Sequence, residues 1–532
     1  MAYEKIDAVI VGAGASGSVF ASVLTRAGKK VVLLDNGPDW QLTDLISSDI
    51  WGRRVKPAGA PVLLEGNHPF AAYTNQAGWG VGGAALHYFA NFPRYLPNDF
   101  KINSEHNRAH DWPISYEDIA PFYDRVAVDV GVSGDAQAEE KWRPAGASYP
   151  MPPMKTFPNG EVWLKAAETN GIRFVPGAVG MSSTAYRGRP ACMYDGWCHV
   201  GCPIGALANP VVTYLSEARK AGLSEARKAG AEVRALCTAT RVLSNQEGTR
   251  ATGVEYYDAN RQRQVQEASV VILAAWSAQN PRLLLNSVTD KHPKGLANSN
   301  ELVGKFMMVH HIAGTWALFD EDITPHMGTV GAQFMSYDRY IKTSYPGAFG
   351  SSFIVTGAAM KTNDYAAARA DLFGPELAAF MKRAARGITR ITFFGEELPR
   401  LENRVELASD KDEFGMPLAR LIHGFDDDAL ALWNANFEQG MKVAKATTAT
   451  TAWPGKPPFV PAAHLHGGAI MGTGPENSVT NSYGQTHEIA NLWMAGPCIF
   501  PTEGASNPTY TIFAVSLRGA EYLAQNWGTV AG

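Results

Sequence analysis

The sequence predicts two fold classes in one chain: a Rossmann-like α/β domain and an α+β domain of antiparallel sheet with helices. Three observations predict them. A glycine-rich turn separates two apolar, β-prone runs near the start (8–11 and 31–34). A buried-strand pattern at 270–275 runs directly into a helix at 278–286, a second passage onto the same sheet. Residues 305–455 change to aromatic, β-prone segments mixed with long helices.

The first observation carries the most chemistry. After the apolar run 8–11 comes a G-x-G-x-x-G turn (Gly12, Gly14, Gly17). An apolar helical segment follows at 18–26, ended by Gly28, and the run 31–34 finishes on Asp35. Gly12 allows the sharp turn, Gly14 lets backbone approach a pyrophosphate, and Gly17 lets the helix pack on the strand. The helix N-terminus offers free N–H groups and its positive dipole end to phosphates, and Asp35 can accept from ribose hydroxyls. A lone G-x-G-x-x-G is weak, but here strand, turn, helix, strand and acid stand in order. The motif does not separate NAD from FAD.

The 532 residues, 45% hydrophobic and 18% charged, are enough for roughly two to four domains of ordinary globular composition. A net charge of −4 gives no nucleic-acid footprint. No run of 18 apolar residues exists, so no membrane span is expected. The first strand begins too early to leave room for a signal peptide, so a chain left to itself is expected to stay in the cytoplasm. Five cysteines in this length do not make a disulfide scaffold.

Taking the elements in order, 36–67 is loop-rich. A second glycine cluster at 78–83 has no strand before it and no acid after it, so it is not a second dinucleotide site. It either lies against a flat ligand face or is a surface turn. Ser115 and Asp118 read as a capping box opening a helix, and 149–158 as an extended connector. Cys192, Cys198 and Cys202 form C-x5-C-x3-C-P in a loop at about 188–210, the next cysteine being Cys237. Three local thiols suit a metal or iron–sulfur loop; a disulfide plus a free thiol, or unligated cysteines, is the alternative. LSEARKAG at 215–222 is repeated at 223–230. Two helical copies add about 12 Å and turn the buried face by roughly 80°, so one copy is expected to bulge or stay exposed. Short strands are expected at 232–236, 253–257 and 264–268, with Ser277 opening the helix after 270–275. Within 305–455, strands are expected at 313–319, 349–356 and 389–394, and helices at 365–386 and 427–444. The last 75 or so residues hold HLHGGAIMG, a buried strand within 491–497, and GASNPTYT before a final helix at 512–526, with Asn507 a candidate N-cap.

The glycine-rich start, the GG-x3-H cluster, AAWSAQNPRLLLNS and HLHGGAIMG…NPTYT resemble, in order and over nearly the whole chain, the glucose–methanol–choline (GMC) flavoprotein oxidoreductases. Within that family GVGGAALHY, YLPNDFK, DWPISYED, YPMPP and the cysteine run resemble the catalytic large subunits of bacterial FAD-dependent sugar dehydrogenases with an iron–sulfur loop. The C-terminal motifs are also similar to pyranose oxidase. The resemblance implies a discontinuous FAD-binding domain (1–304 and 456–532) around a substrate domain (305–455). It implies FAD contacts at Gly12, Gly14, Gly17, Asp35, Gly82, Gly83, His87, Ala275, Gly496 and Pro508, and a 3Fe–4S cluster on Cys192, Cys198 and Cys202. His87 matches a position that carries a covalent flavin link in pyranose oxidase; such a link is left open here. His68, His106, His110, His310 and His311 read as structural or surface histidines, although His310 and His311 could lie near the site.

The family's base is a His three residues before a Gly and seven before Met-Gly, which selects His464. His466 is the second candidate, since positions two apart share a side in an extended segment. Asn507 takes the partner position. The implied reaction is loss of a carbinol proton to neutral His464, with hydride passing to the flavin while Asn507 orients the oxygen. With a single dinucleotide fingerprint, NAD is a poor acceptor. The resemblance implies electron exit through the cluster to a cytochrome c or dye, and a small partner subunit whose export signal carries the chain to the periplasm. The oxidised carbon of the pyranose, 1, 2 or 3, is open. The alternative is a cytoplasmic GMC oxidase or dehydrogenase of a non-sugar alcohol such as choline or an aryl alcohol.

Overall fold

Residues 8–11 and 270–273 are apolar on both sides of the backbone, the pattern of a strand covered on both faces. In the computed structural model, which describes residues 4–50, 61–67, 78–221, 230–455 and 464–532, they are the centre of a seven-stranded sheet. Its parallel part runs Ala231–Arg234, Val31–Leu34, Ile6–Val11, Arg263–Leu273 and Leu492–Met494. The helix Ala15–Arg26 leaves the first strand through the glycine turn and packs on the long helix Thr509–Gln525 near the C-terminus.

The two runs expected at 264–268 and 270–275 are one strand, Arg263–Leu273. Its first half pairs antiparallel with Ala251–Tyr257 and its second half parallel with Ile6–Val11. An alternating half joined to a buried half reads as two strands although the backbone never turns. A further strand, Thr238–Ser244, extends the antiparallel edge and was not expected.

The second sheet is antiparallel, in the order Thr451–Pro454, His311–Leu318, Ile388–Gly395, Ser352–Thr356, Phe334–Arg339, Val175–Pro176. The helix Asp427–Lys445 covers it, opened by Asp426, whose side chain accepts from the Ala429 N–H at 2.9 Å. The single helix expected at 365–386 is two, Thr362–Ala368 and Gly374–Gly387. Pro375 in the first turn of the second has no N–H with which to continue the first. The capping box is present: Ser115 Oγ accepts from the Asp118 N–H, and Asp118 from the Ser115 N–H. Ser277 does not cap the helix Gln279–Asn286; its hydroxyl donates to the Leu465 carbonyl at 2.7 Å. The first LSEARKAG copy lies in the helix Tyr214–Ala221, and the second falls almost wholly outside the described residues.

Strand pairings cross the division into 1–304, 305–455 and 456–532. Val175–Pro176 joins the antiparallel sheet, and Val62–Glu65 pairs with Pro417–Ile422. Strand hydrogen bonds, invisible to composition, assign both segments to the middle of the chain. A buried ion cluster ties the parts further: Lys342 Nζ lies 2.7 Å from both Asp99 and Glu396, all three within 1% of full burial.

Candidate active site

The glycine turn is built for close approach. Gly12 (φ +100°) sits where a Cβ would lie 2.5 Å from the Ala274 carbonyl, and a Cβ on Gly17 would lie 2.0 Å from the Gly12 carbonyl. Asp35 is buried; its carboxylate accepts from the Ala13 N–H at 2.9 Å and the Gly37 N–H at 3.0 Å, leaving lone pairs for a further donor. Burial holds this carboxyl above the ordinary aspartate range. The second glycine cluster is no surface turn. Gly82 donates its N–H to the Ala13 carbonyl at 3.0 Å, and Gly83 faces Gly14 across a gap where a Cβ would reach 3.0 Å from its Cα. A cavity of about 1400 Å³ opens from this junction. Gly12, Gly14, Asp35, Gly83, His87, Ala275, Gly496 and Pro508 all line it. Gly17 and Gly82 support it from behind. Gly17→Val is expected to lever the helix off the strand and give protein purified without flavin absorbance; retention of a full visible flavin band would contradict this.

At the other end of the cavity a chain of buried side chains fixes one proton arrangement. His310 Nε2 is 2.6 Å from the Gly504 carbonyl, which can only accept, so Nε2 carries the hydrogen and Nδ1 is a lone pair. His464 Nδ1, 2.9 Å from that lone pair, must therefore donate, which leaves His464 Nε2 unprotonated. From the other side the Ala332 N–H donates to Asn91 Oδ1 at 2.8 Å, so Asn91 Nδ2 donates to Asn507 Oδ1 at 3.4 Å. Asn507 Nδ2 is then turned to His464 Nε2 at 3.3 Å. The tautomers and amide orientations follow from the fixed backbone groups at the two ends. His464 and Asn507 both line the cavity. A hydroxyl placed between them accepts from Asn507 and donates to His464, the geometry of a general base with an oxygen-orienting amide. Asn507 does not cap the helix Thr509–Gln525, whose N-cap is Pro508.

Burial, and the neighbouring His310, hold the His464 imidazole well below its ordinary value, and burial lowers His310 to about 4. The imidazole is thus neutral as pH falls through 6.5, and protonation, which would remove its lone pair, comes only in more acid solution. The acid limb of flavin reduction measured by stopped flow is expected below pH 6.5. A limb at or above that value would mean the base is not this buried imidazole.

His466 is not brought to the cavity. It is fully buried, stacked on Phe500 at 5.5 Å, with Nδ1 3.2 Å from Glu503. The extended segment is only Leu465–His466, so the two-residue alternation does not reach back to His464. His311 is also buried, packed against Trp433 at 5.5 Å. His106 and His110 are not fully buried, and His68 lies outside the described residues.

Cys192, Cys198 and Cys202 are free thiols that line one small cavity of about 20 Å³, with Met181 and Leu207 on its wall. Cys192 accepts from the Tyr194 N–H at 3.3 Å, Cys202 from the Leu207 N–H at 3.4 Å, and Cys198 from the Val330 N–H. Burial pushes the Cys192 thiol up to about 11 and the Cys198 thiol higher. Among the described residues no three His, Cys, Asp or Glu side chains converge on a single ion. The three thiols thus surround one small cavity, each with a backbone N–H donor. His199, beside Cys198, also lines the large cavity.

The sequence model of the GMC oxidoreductases matches residues 6–312 with its N-terminal part and 399–516 with its C-terminal part. The chain belongs to the GMC oxidoreductases. It is 30% identical to 2-methyl-1,2-propanediol dehydrogenase of Mycolicibacterium austroafricanum over 99% of this chain and 96% of that one. It is 30% identical to the fructose dehydrogenase large subunit of Gluconobacter japonicus over 97% of each. The fold matches pyridoxine 4-oxidase of Mesorbium loti with a TM-score of 0.66 at 14% identity, covering 98% of this chain and 99% of that one. As a GMC oxidoreductase the protein is an FAD-dependent enzyme acting on the CH–OH group of alcohols or sugars. The glycine cradle and the adjoining cavity fit FAD. Sequence reasoning did not find Asn91, Gly504 or Glu503 in this GMC site, nor the part played by His310. Asn91 and Glu503 stand in no motif, Gly504 opens GASNPTYT but its carbonyl gives no sequence signal, and His310 was separable from His311 only by which side of a strand end each faces.

Proposed function

We propose that this GMC oxidoreductase is a sugar dehydrogenase oxidising a ring hydroxyl of a pyranose or glycoside, at carbon 1, 2 or 3. The observation that carries the reading is the unprotonated Nε2 of His464 facing Asn507 on the wall of a cavity large enough for a flavin and a sugar together. The cavity wall positions the carbinol; Asn507 donates to its oxygen; His464 removes its proton and holds it at Nε2. His310 and Gly504 keep His464 in the one tautomer able to do so. FAD, when bound, supplies the two-electron hydride acceptor. The three thiols would hold a 3Fe–4S cluster supplying a one-electron exit, and His199 places that loop against the flavin cavity. The fructose dehydrogenase relative is named as a large subunit, which supports a smaller partner subunit; an export signal on that partner, a periplasmic location and a cytochrome acceptor belong to the same proposal.

The second reading, oxidation of a small non-sugar diol, is favoured by the propanediol dehydrogenase relative. Anaerobic bleaching of the flavin band tests both. Bleaching by glucose and by methyl glucoside supports a ring hydroxyl, because the methyl group blocks carbon 1. Bleaching by glucose alone points to carbon 1, and bleaching by 2-methyl-1,2-propanediol but neither sugar favours the second reading. Iron and acid-labile sulfide in the purified protein test the cluster.

A further inference from the structure

The strand Ile388–Gly395 turns alternate residues to its two sides. Ile391 and Phe393 are wholly buried in the core, whereas Arg390, Thr392 and Phe394 face the large cavity. The neighbouring strand His311–Leu318 puts Trp316, Gly314 and Ile312 opposite them in register, also on the cavity wall. Phe394 marks the reactive end, its ring 5.6 Å from that of His464. Arg390 stands at the far end of this stripe. A Cβ on Gly314 would lie 3.1 Å from Arg390 Cδ, so glycine there gives the arginine stem room to cross the partner strand. Its guanidinium carbon lies 5.0 Å from the centre of the Trp316 ring, which fixes the plane of the fork.

Among the described residues this guanidinium has neither an ion pair nor a side-chain hydrogen bond. The one carboxylate whose charge it feels is Asp364. Asp364 is engaged elsewhere, accepting from the Lys361 N–H at 2.7 Å to open the helix Thr362–Ala368. This half-buried guanidinium on the cavity wall thus keeps its donors open to a ligand, and it stays charged because a guanidinium does not lose its proton. Four strand residues separate Arg390 from Phe394, ~13 Å at ~3.3 Å per residue, and crossing toward Gly314 shortens this to as little as ~7 Å.

We propose that Arg390, held on Trp316, binds an anionic group (a carboxylate or a phosphate) at the end of the substrate remote from the carbon oxidised, so that the preferred substrate is an acidic sugar. This rests on the sugar reading above. Methyl glucoside and methyl glucuronide differ only in the terminal group, and glucose against glucose 6-phosphate repeats the comparison for phosphate. Flavin reduction by the wild-type holoenzyme is expected to half-saturate at about 10- to 100-fold lower concentration of at least one acid than of its neutral partner, the range for a charge-assisted pair. Whichever acid shows the gain names the anion. Arg390→Met, which keeps the stem and removes the charge, is expected to abolish that gain, so that acid and neutral partner half-saturate at the same concentration in the variant. Calorimetric titration of the slowly reacting His464→Ala holoprotein should give the same ratio as dissociation constants. Equal half-saturation for acid and neutral partners, or an Arg390→Met loss shared equally by both, overturns the proposal. If no sugar reduces the flavin, the sugar reading is what has failed; the titration then decides the anion site alone, and absence of binding by both acids overturns it.

Discussion

His464→Ala is expected to keep its flavin spectrum and lose about 10²–10⁴ in the rate of flavin reduction by substrate, the range a positioned general base supplies. The argument is one of direction. Gly504 fixes His310, His310 fixes His464, and the remaining lone pair of His464 points at the place where Asn507 presents a donor. Alanine removes that lone pair without touching the glycine cradle, which lies at the other end of the cavity. Stopped-flow reduction separates the effect from any change in re-oxidation. Reduction at a near-native rate would show that the proton leaves by another route.

His310→Phe is expected to cost nearly as much, although His310 is fully buried and is not on the cavity wall. Phenylalanine conserves the ring packed against His464, with centroids 5.1 Å apart in the native pair, and deletes the acceptor at Nδ1. His464 is then free to carry its hydrogen on Nε2, where it blocks the substrate proton. In the serine-protease triad the wrong imidazole tautomer lowers kcat about 10⁴-fold, and a loss of 10²–10⁴ is expected here. Asparagine at 310 can still offer an oxygen to His464 and should recover part of the rate; unchanged reduction in His310→Phe would remove His310 from the mechanism.

The parts of this molecule legible in the sequence are those whose signal is local. The strand, glycine turn, helix and strand of residues 6–34 were found within a few residues, because the glycine spacing and the apolar runs flanking it stand together in the sequence, although the contacts that require Gly12 and Gly14 come from Ala274 and Gly83. The antiparallel character of the middle of the chain was legible from its aromatic, alternating segments. The strand Val175–Pro176 was not, being two residues long and defined only by its partner Phe334–Arg339. Arg263–Leu273 was cut in two because its burial changes half-way while its backbone does not. At the site, His464 and Asn507 could be selected by resemblance, but their proton arrangement could not. It depends on Gly504, Ala332 and Asn91, contacts up to 416 residues apart. His466, two residues from His464, was separated from it by the end of a strand.

The pairing of Ile6–Val11 with Arg263–Leu273, and of that strand with Leu492–Met494, sets an order of events on the ribosome. The first strand waits for one made half a chain later, and that strand waits in turn for nearly the last. At ~5–20 residues per second the first interval is roughly 13 to 50 s, during which the core edge of Ile6–Val11 is without its native neighbour. The wall that closes the flavin cavity, Gly496 to Ile512, is made later still. Flavin capture is therefore a late step in the life of the nascent chain, and a chain halted after residue 455 is expected to emerge without the cofactor and exposed to aggregation through its open sheet edges.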